Sequence, residues 1–379
     1  LKIYIIAGEA SGDLHGSNLV KELLRLNTSL QLRGWGGDLM TNAGVNVVKH
    51  YRDLAFMGFI EVVKNLSTIM RNFRFCKEDI LAYRPDALIL IDYPGFNLRM
   101  AKWAHEQGIP VLYYIAPQAW AWKENRVHAM RKHIDQLYVV LPFEESFFQK
   151  HGISVFYSGH PLLDTEETNV QSRDAFFKQH AFSDQPLIAL LPGSRKQEIR
   201  AMLPLMARMK AHYPEYTFVI AGAPGQTPSF YREVLADDSI PVLFGATSGL
   251  LRHAKAGLIT SGTATLEAGI SGLPQVVCYK GSAISYAIAK RLVKVKYISL
   301  VNLILDKPAV RELIQHDFNE ESLKTALDGL LNDTAVGAEL TSDYAHLRTC
   351  LGGPGASRRT ATHMLKILQE HSNASPTAR

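Results

Sequence analysis

Residues 187–195 read Leu-Ile-Ala-Leu-Leu-Pro-Gly-Ser-Arg. Five apolar residues run into a Pro-Gly turn and then a helix start, the grammar of a buried strand handing over to a helix. The run matters because of what precedes it. A strand–helix alternation fills the first part of the chain, lapses over the polar stretch Asp164–Asp184, and restarts here. Upstream, strands are expected at Lys2–Ile6, Ala87–Ile91, Val111–Ile115 and Leu137–Leu141. Downstream they follow at Thr217–Ala221, Pro241–Phe244, Gly257–Thr260 and Gln275–Tyr279. Short apolar strands alternating with helices make parallel α/β sheets, and 379 residues exceed one ordinary core. The expected fold is therefore α/β, two facing Rossmann-like domains with a cleft between them at the carboxyl ends of their strands. The division reads 1–162 as the first domain, 163–186 as a linker, 187–355 as the second domain, 356–370 as a C-terminal helix and 371–379 as a frayed polar tail. No internal repeat stands out.

Composition narrows the function classes. A hydrophobic content of 47% with 20% charged residues is globular. Cys76, Cys278 and Cys350 are odd in number, far apart and without ligand spacing, so neither a disulfide framework nor zinc is supported, and a reducing cytoplasm fits. The first strand-like run opens at Lys2 with no basic and apolar leader before it, so no signal peptide is expected. No apolar run reaches the roughly 18–20 residues that cross a bilayer. A net charge of +5 suits phosphate-bearing ligands or an anionic lipid surface, and no nucleic acid is expected as a partner.

The chemistry should sit just after the strands. Ala7-Gly-Glu-Ala-Ser-Gly-Asp13 allows a tight turn, with Ser11 or Asp13 placed to cap a helix from about Leu14. Glu9 and Asp13 would repel a phosphate, so the functional reading is an acceptor site built from Glu9, Ser11 and Asp13; the plain reading is a glycine turn and a cap. Asp92 leaves the strand Ala87–Ile91 into Tyr-Pro-Gly-Phe-Asn97, where partial desolvation would raise its basicity for taking a hydroxyl proton, unless it only caps the turn. In Ile115–Trp122, Gln118, Trp120 and Trp122 suit a sugar ring or interface packing equally.

In the second half, Ser194 and Gln197 fit a capping box, while the helix N-terminus and Arg195 suit a departing diphosphate. Ser261-Gly-Thr-Ala-Thr-Leu-Glu267 puts small residues, among them Thr263 and Ala264, at a helix start, with Glu267 four residues on from Thr263 and on the same face. The start would hold phosphate and Glu267 would accept both ribose hydroxyls. No D-x-D pair occurs, so neither a metal nor another cofactor is expected. Phe56, Met57, Phe59, Ile60, Val63, Leu66 and Met70, with Ile69 and Phe73, recur at helical spacing among Lys64, Arg71 and Arg74. Such a stripe rests on a bilayer or acyl chains, or is core. Lys290–Lys296 is a second basic segment.

Taken in order, AGEASGD (7–13), IDYPGFN (91–97), PQAWAW (117–122), Gly159-His-Pro161, LLPGSR (190–195), SGTATLE (261–267) and YISLVN (297–302) resemble the lipid-A-disaccharide synthase family, over about residues 2–365. The resemblance implies an inverting GT-B glycosyltransferase joining UDP-2,3-diacylglucosamine to 2,3-diacylglucosamine 1-phosphate, at the inner-membrane surface, as a homodimer formed by C-terminal exchange. It implies Asp92 as base for the acceptor 6-hydroxyl, Arg195 on the diphosphate, Glu267 and Asn302 at the UDP site, and acyl or membrane contact near residues 56–73. Gly95 stands where relatives often carry a second acid. Two other readings use the same features: a UDP-N-acetylglucosamine 2-epimerase-like enzyme, and a non-catalytic lipid- or nucleotide-binding protein.

Overall fold

The computed structural model describes residues 1–54, 66–122, 126–164, 171–236, 238–281 and 295–374. They form two compact α/β units, Leu1–Thr165 with Leu351–Arg379, and Glu166–Cys350.

The first unit holds a seven-stranded sheet in the order β3-β2-β1-β4-β5-β6-β7, every pair parallel. Its strands are β1 (Lys2–Ala7), β2 (Gln31–Gly36), β3 (Asn46–His50), β4 (Ala87–Ile91), β5 (Val111–Tyr114), β6 (Gln136–Val139) and β7 (Val155–Tyr157). Ile3 to Ala7 and Ala87 to Ile91 are wholly buried, as parallel strands covered on both faces must be. The second unit has six parallel strands in the order β10-β9-β8-β11-β12-β13. These are β8 (Leu187–Leu191), β9 (Thr217–Gly222), β10 (Val242–Phe244), β11 (Ala254–Thr260), β12 (Gln275–Tyr279) and β13 (Arg311–Ile314). The expectation of two parallel-sheet halves holds. The sequence reading left out β2, β3, β7 and β13.

The stretch 163–186, read as a linker, carries the helix Arg173–Gln179, whose Phe176 and Phe177 are buried in the second unit's core. Asp164, given no role by sequence, caps the terminal helix Ala356–Ala374. Its carboxylate accepts the backbone N–H groups of Gly355, Ala356 and Ser357 at 2.6, 3.0 and 2.7 Å. Around Gly159-His-Pro161 the same docking continues. Ser158 Oγ meets Thr360 Oγ1 at 2.6 Å, His160 N–H donates to Leu351, and Phe156 stacks on His363 at 4.0 Å. The Gly-His-Pro block thus fastens the returning chain to the first unit. The helix runs to Ala374, four residues beyond the expected end, and 375–379 lie outside the described residues. No described helix is long and apolar enough to cross a membrane.

Candidate active site

Strand β4 ends in two consecutive non-glycine residues with left-handed backbone, Asp92 (φ 44°) and Tyr93 (φ 51°), and β5 is followed by a third, Ile115 (φ 62°). Such positions are strained by about 1–3 kcal/mol each and persist only where the surroundings fix them. Here they do. Asp92 N–H donates to Tyr114 at 3.0 Å, while the Asp92 carbonyl accepts Tyr113 Oη at 2.6 Å and Asn97 Nδ2 at 2.8 Å. Tyr93 lies so close over Gly8 that a Cβ there would sit 2.3 Å from its ring, which explains that glycine. Pro94 then opens the helix Pro94–Glu106.

Ala7 is opposite Ile91 in the β1–β4 register, so the turns that carry Glu9 and Asp92 leave adjacent strand ends. Burial first, and the Glu9 charge second, push the Asp92 carboxyl up to about 7. A carboxyl poised there takes a proton at neutral pH more readily than an ordinary aspartate. Gly95 leaves open space beside this turn.

The rest of the AGEASGD expectation divides. The helix starts at Ala10 with Glu9 as its N-cap, not near Leu14. Ser11 is exposed on its first turn. Asp13 is buried and spoken for: its carboxylate accepts the N–H groups of Gly37, Leu39 and Met40 at 2.7–3.1 Å, capping the helix Asp38–Asn42. Gln118 is exposed after β5. Trp120 is half-buried, donates its indole N–H to Glu144 at 3.0 Å and meets Phe143 edge-on at 4.9 Å.

Glu144 escaped the sequence reading. It follows β6 within Pro142-Phe-Glu-Glu145, a strand-turn-acid pattern like that of Asp92. Only 1% exposed, it also accepts the N–H groups of Val140 and Leu141, and burial raises its carboxyl to about 7.

In the second unit, Arg195 is the N-cap of the helix Lys196–Arg208. The expected box on Ser194 and Gln197 is displaced by one residue: Glu198 accepts the Arg195 backbone N–H and pairs with its guanidinium at 3.3 Å. Ser194 and Arg195 are exposed. Gly262, at φ 141°, caps the helix Thr263–Ile270. Thr263 is exposed, Ala264 half-buried, and Glu267 lies one turn on with its carboxyl raised to about 7 by burial. Asn302 is placed in a network of its own. Its amide is buried, exchanging hydrogen bonds with Val310 and donating to Glu312, so the side chain braces its own loop. Glu312, also missed, takes the N–H groups of Ile298 and Ser299.

Phe56, Met57, Phe59, Ile60 and Val63 lie outside the described residues, as do 290–294 of the second basic segment. Leu66 opens the helix Leu66–Tyr83, on which Met70 is 59% exposed. Phe73, from the same stripe, faces inward and stacks on Phe96 at 4.2 Å. Lys296 pairs with Asp306 at 3.0 Å.

The profile of the family described as lipid-A-disaccharide synthetase matches residues 3–367. A lipid-A-disaccharide synthase of Syntrophus aciditrophicus is 36% identical over 97% of this chain and 98% of its own length. One of Geobacter sulfurreducens is 35% identical over 97% of both. Among solved structures, a UDP-GlcNAc 2-epimerase of Neisseria meningitidis bound to UDP-GlcNAc aligns with a TM-score of 0.67 at 13% identity, over 97% of this chain and all of that one. The glycotransferase of kitacinnamycin aligns at 0.66 and 15% identity, over 97% and 99%. These two likenesses speak for the fold alone.

Proposed function

The chain belongs to the lipid-A-disaccharide synthase family, a glycosyltransferase of lipid A biosynthesis, and from that premise we propose that it joins UDP-2,3-diacylglucosamine to 2,3-diacylglucosamine 1-phosphate with inversion at the donor carbon. The products are the β-1,6-linked disaccharide 1-phosphate and UDP. The observation that carries this reading is the Asp92 turn: a carboxyl with raised basicity, on strained backbone that three neighbours hold in place.

In this mechanism the Asp92 carboxylate removes the proton of the acceptor 6-hydroxyl as the oxygen attacks the donor C1. The C1–oxygen bond to the diphosphate breaks, and the electron pair leaves with UDP. Glu9, Ser11, Gln118 and Trp120 border the acceptor. The exposed Arg195 and the N–H groups at Thr263 and Ala264 receive the negative diphosphate, where a helix start and a guanidinium favour it. Glu267, raised by burial, accepts the ribose hydroxyls. An anionic membrane surface, met by Met70 and the segment before it, and a second copy of the chain are the proposed partners.

The test is UDP release from UDP-2,3-diacylglucosamine with and without diacylglucosamine 1-phosphate. Acceptor-dependent release with a disaccharide product is expected. Release without acceptor, or an epimer formed from UDP-N-acetylglucosamine alone, would replace this reading with the epimerase one.

A further inference from the structure

Strands β4, β5 and β6 are consecutive neighbours in the first sheet, and each sends one group from its carboxyl end: Asp92, Trp120 and Glu144. We propose that Glu144 is a positioning residue for the acceptor sugar, its carboxylate holding the Trp120 indole at the edge of the Asp92 site. The inference rests on the reading of that site as the acceptor's.

A capping box would account for one of the two carboxylate oxygens. Oε2 takes the N–H groups of Val140 and Leu141 at 3.1 and 3.0 Å, at the start of the helix Pro142–Lys150. It does not account for the other. Oε1 receives the Trp120 indole N–H at 3.0 Å, from the short helix Ala119–Trp122 after a different strand. Nor does a box require an acid 99% removed from water, where burial raises its proton affinity more than its hydrogen bonds lower it and the charge of Asp92 adds a last, smaller rise. Phe143, from the same turn as Glu144, sets the indole edge-on at 89°. The ring is thus fixed by a hydrogen bond at its nitrogen and a T-shaped contact on its body, while part of it stays accessible. An aromatic face held rigid in this way is a platform for the apolar face of a pyranose, because nothing remains to be ordered when the sugar arrives.

The chemistry of an amide makes the idea testable. In Glu144→Gln, only one side of the group can accept. The amide oxygen stays with the two backbone donors, and its NH2 then faces the indole N–H, donor against donor, so the Trp120 contact breaks. Trp120→Phe removes the same bond from the half-buried partner and leaves the Glu144 backbone contacts alone. Steady-state kinetics with both substrates should show acceptor KM raised about tenfold or more in each variant, the loss of a hydrogen bond to a charged group, with donor KM unchanged. The double variant should be no worse than the worse single one. A merely structural role would reduce the active fraction and leave both KM values in place, and that result overturns the proposal, as does full additivity. Should Glu144→Gln fail to fold, Trp120→Phe alone decides by its acceptor KM. Wild-type enzyme without acceptor-dependent UDP release would sink the site reading and this inference together; an active wild type with unmoved acceptor KM in the variants sinks the inference alone.

Discussion

At the carboxyl edge of the first sheet, positive φ falls on residues with side chains, Asp92, Tyr93 and Ile115, and the acids Asp92 and Glu144 are drawn away from water until both titrate near 7. At the corresponding edge of the second sheet, the turns after β8 and β11 place positive φ on Gly193 and Gly262, and Ser194, Arg195 and Thr263 lie open to solvent. A non-glycine left-handed residue of that edge, Gln315 (φ 54°), follows the outer strand β13, and the raised acid, Glu267, sits a turn inside its helix. The contrast follows from the two tasks. A base gains basicity from desolvation, and placing a charged side chain at a buried strand end demands backbone that only dense packing holds. A diphosphate site needs free N–H groups and a cation that a large anion can reach, which glycine turns and a helix start supply without strain.

If the division is real, substitutions on the two edges should fail differently. Asp92→Asn should lower turnover by roughly 10²–10⁴, the range for a lost general base, with UDP affinity by calorimetry unchanged; a parallel loss of UDP binding would merge the two edges into one function. Arg195→Ala should weaken UDP binding by about 10–100-fold, the loss of hydrogen bonds from a charged group to the diphosphate, and lower turnover with it. Unaltered UDP affinity would show that the exposed guanidinium stays with Glu198. A smaller effect is expected at Glu267. Above about 7 its carboxylate accepts the ribose hydroxyls, and below that its proton removes an acceptor, so UDP affinity should fall as pH falls through this range. Glu267→Gln should bind a few-fold less tightly at high pH and lose that part of the pH dependence. If both proteins follow the same curve, the UDP phosphate alone is titrating.

The central strands were legible because buried parallel strands are short continuous apolar runs, as in Ala87–Ile91 and Leu187–Leu191. Strand β2 was not. Its Gln-Leu-Arg-Gly-Trp-Gly has no apolar run, and Gly34 sits where a Cβ would lie 1.8 Å from the Ile5 carbonyl oxygen, with the β2–β3 register shifting beside it. Asp92 and Glu267 could be picked out because a strand end and a helix start are local patterns. The fates of Asp13 and Asn302 could not. Asp13 caps a helix some 24–27 residues away, and the Asn302 amide is committed to Val310 and Glu312. Both are pairings that the fold makes and that no spacing announces. Glu144 was missed for a plainer reason: its turn repeats the pattern already recognised at Asp92, but its burial and its bond to Trp120 belong to packing between neighbouring strands.

The most direct test of the account is the pH profile of acceptor-dependent UDP release in the wild type and in Glu9→Gln. The base must be unprotonated to act, so wild-type kcat/KM should fall as pH drops through about 7. Removing the Glu9 charge, which opposes ionisation of Asp92 but is not among the causes acting on Glu267, should move that limb to lower pH. A limb that stays in place when Glu9 is neutralised, or a wild-type profile that is flat through neutrality, would contradict Asp92 as the base.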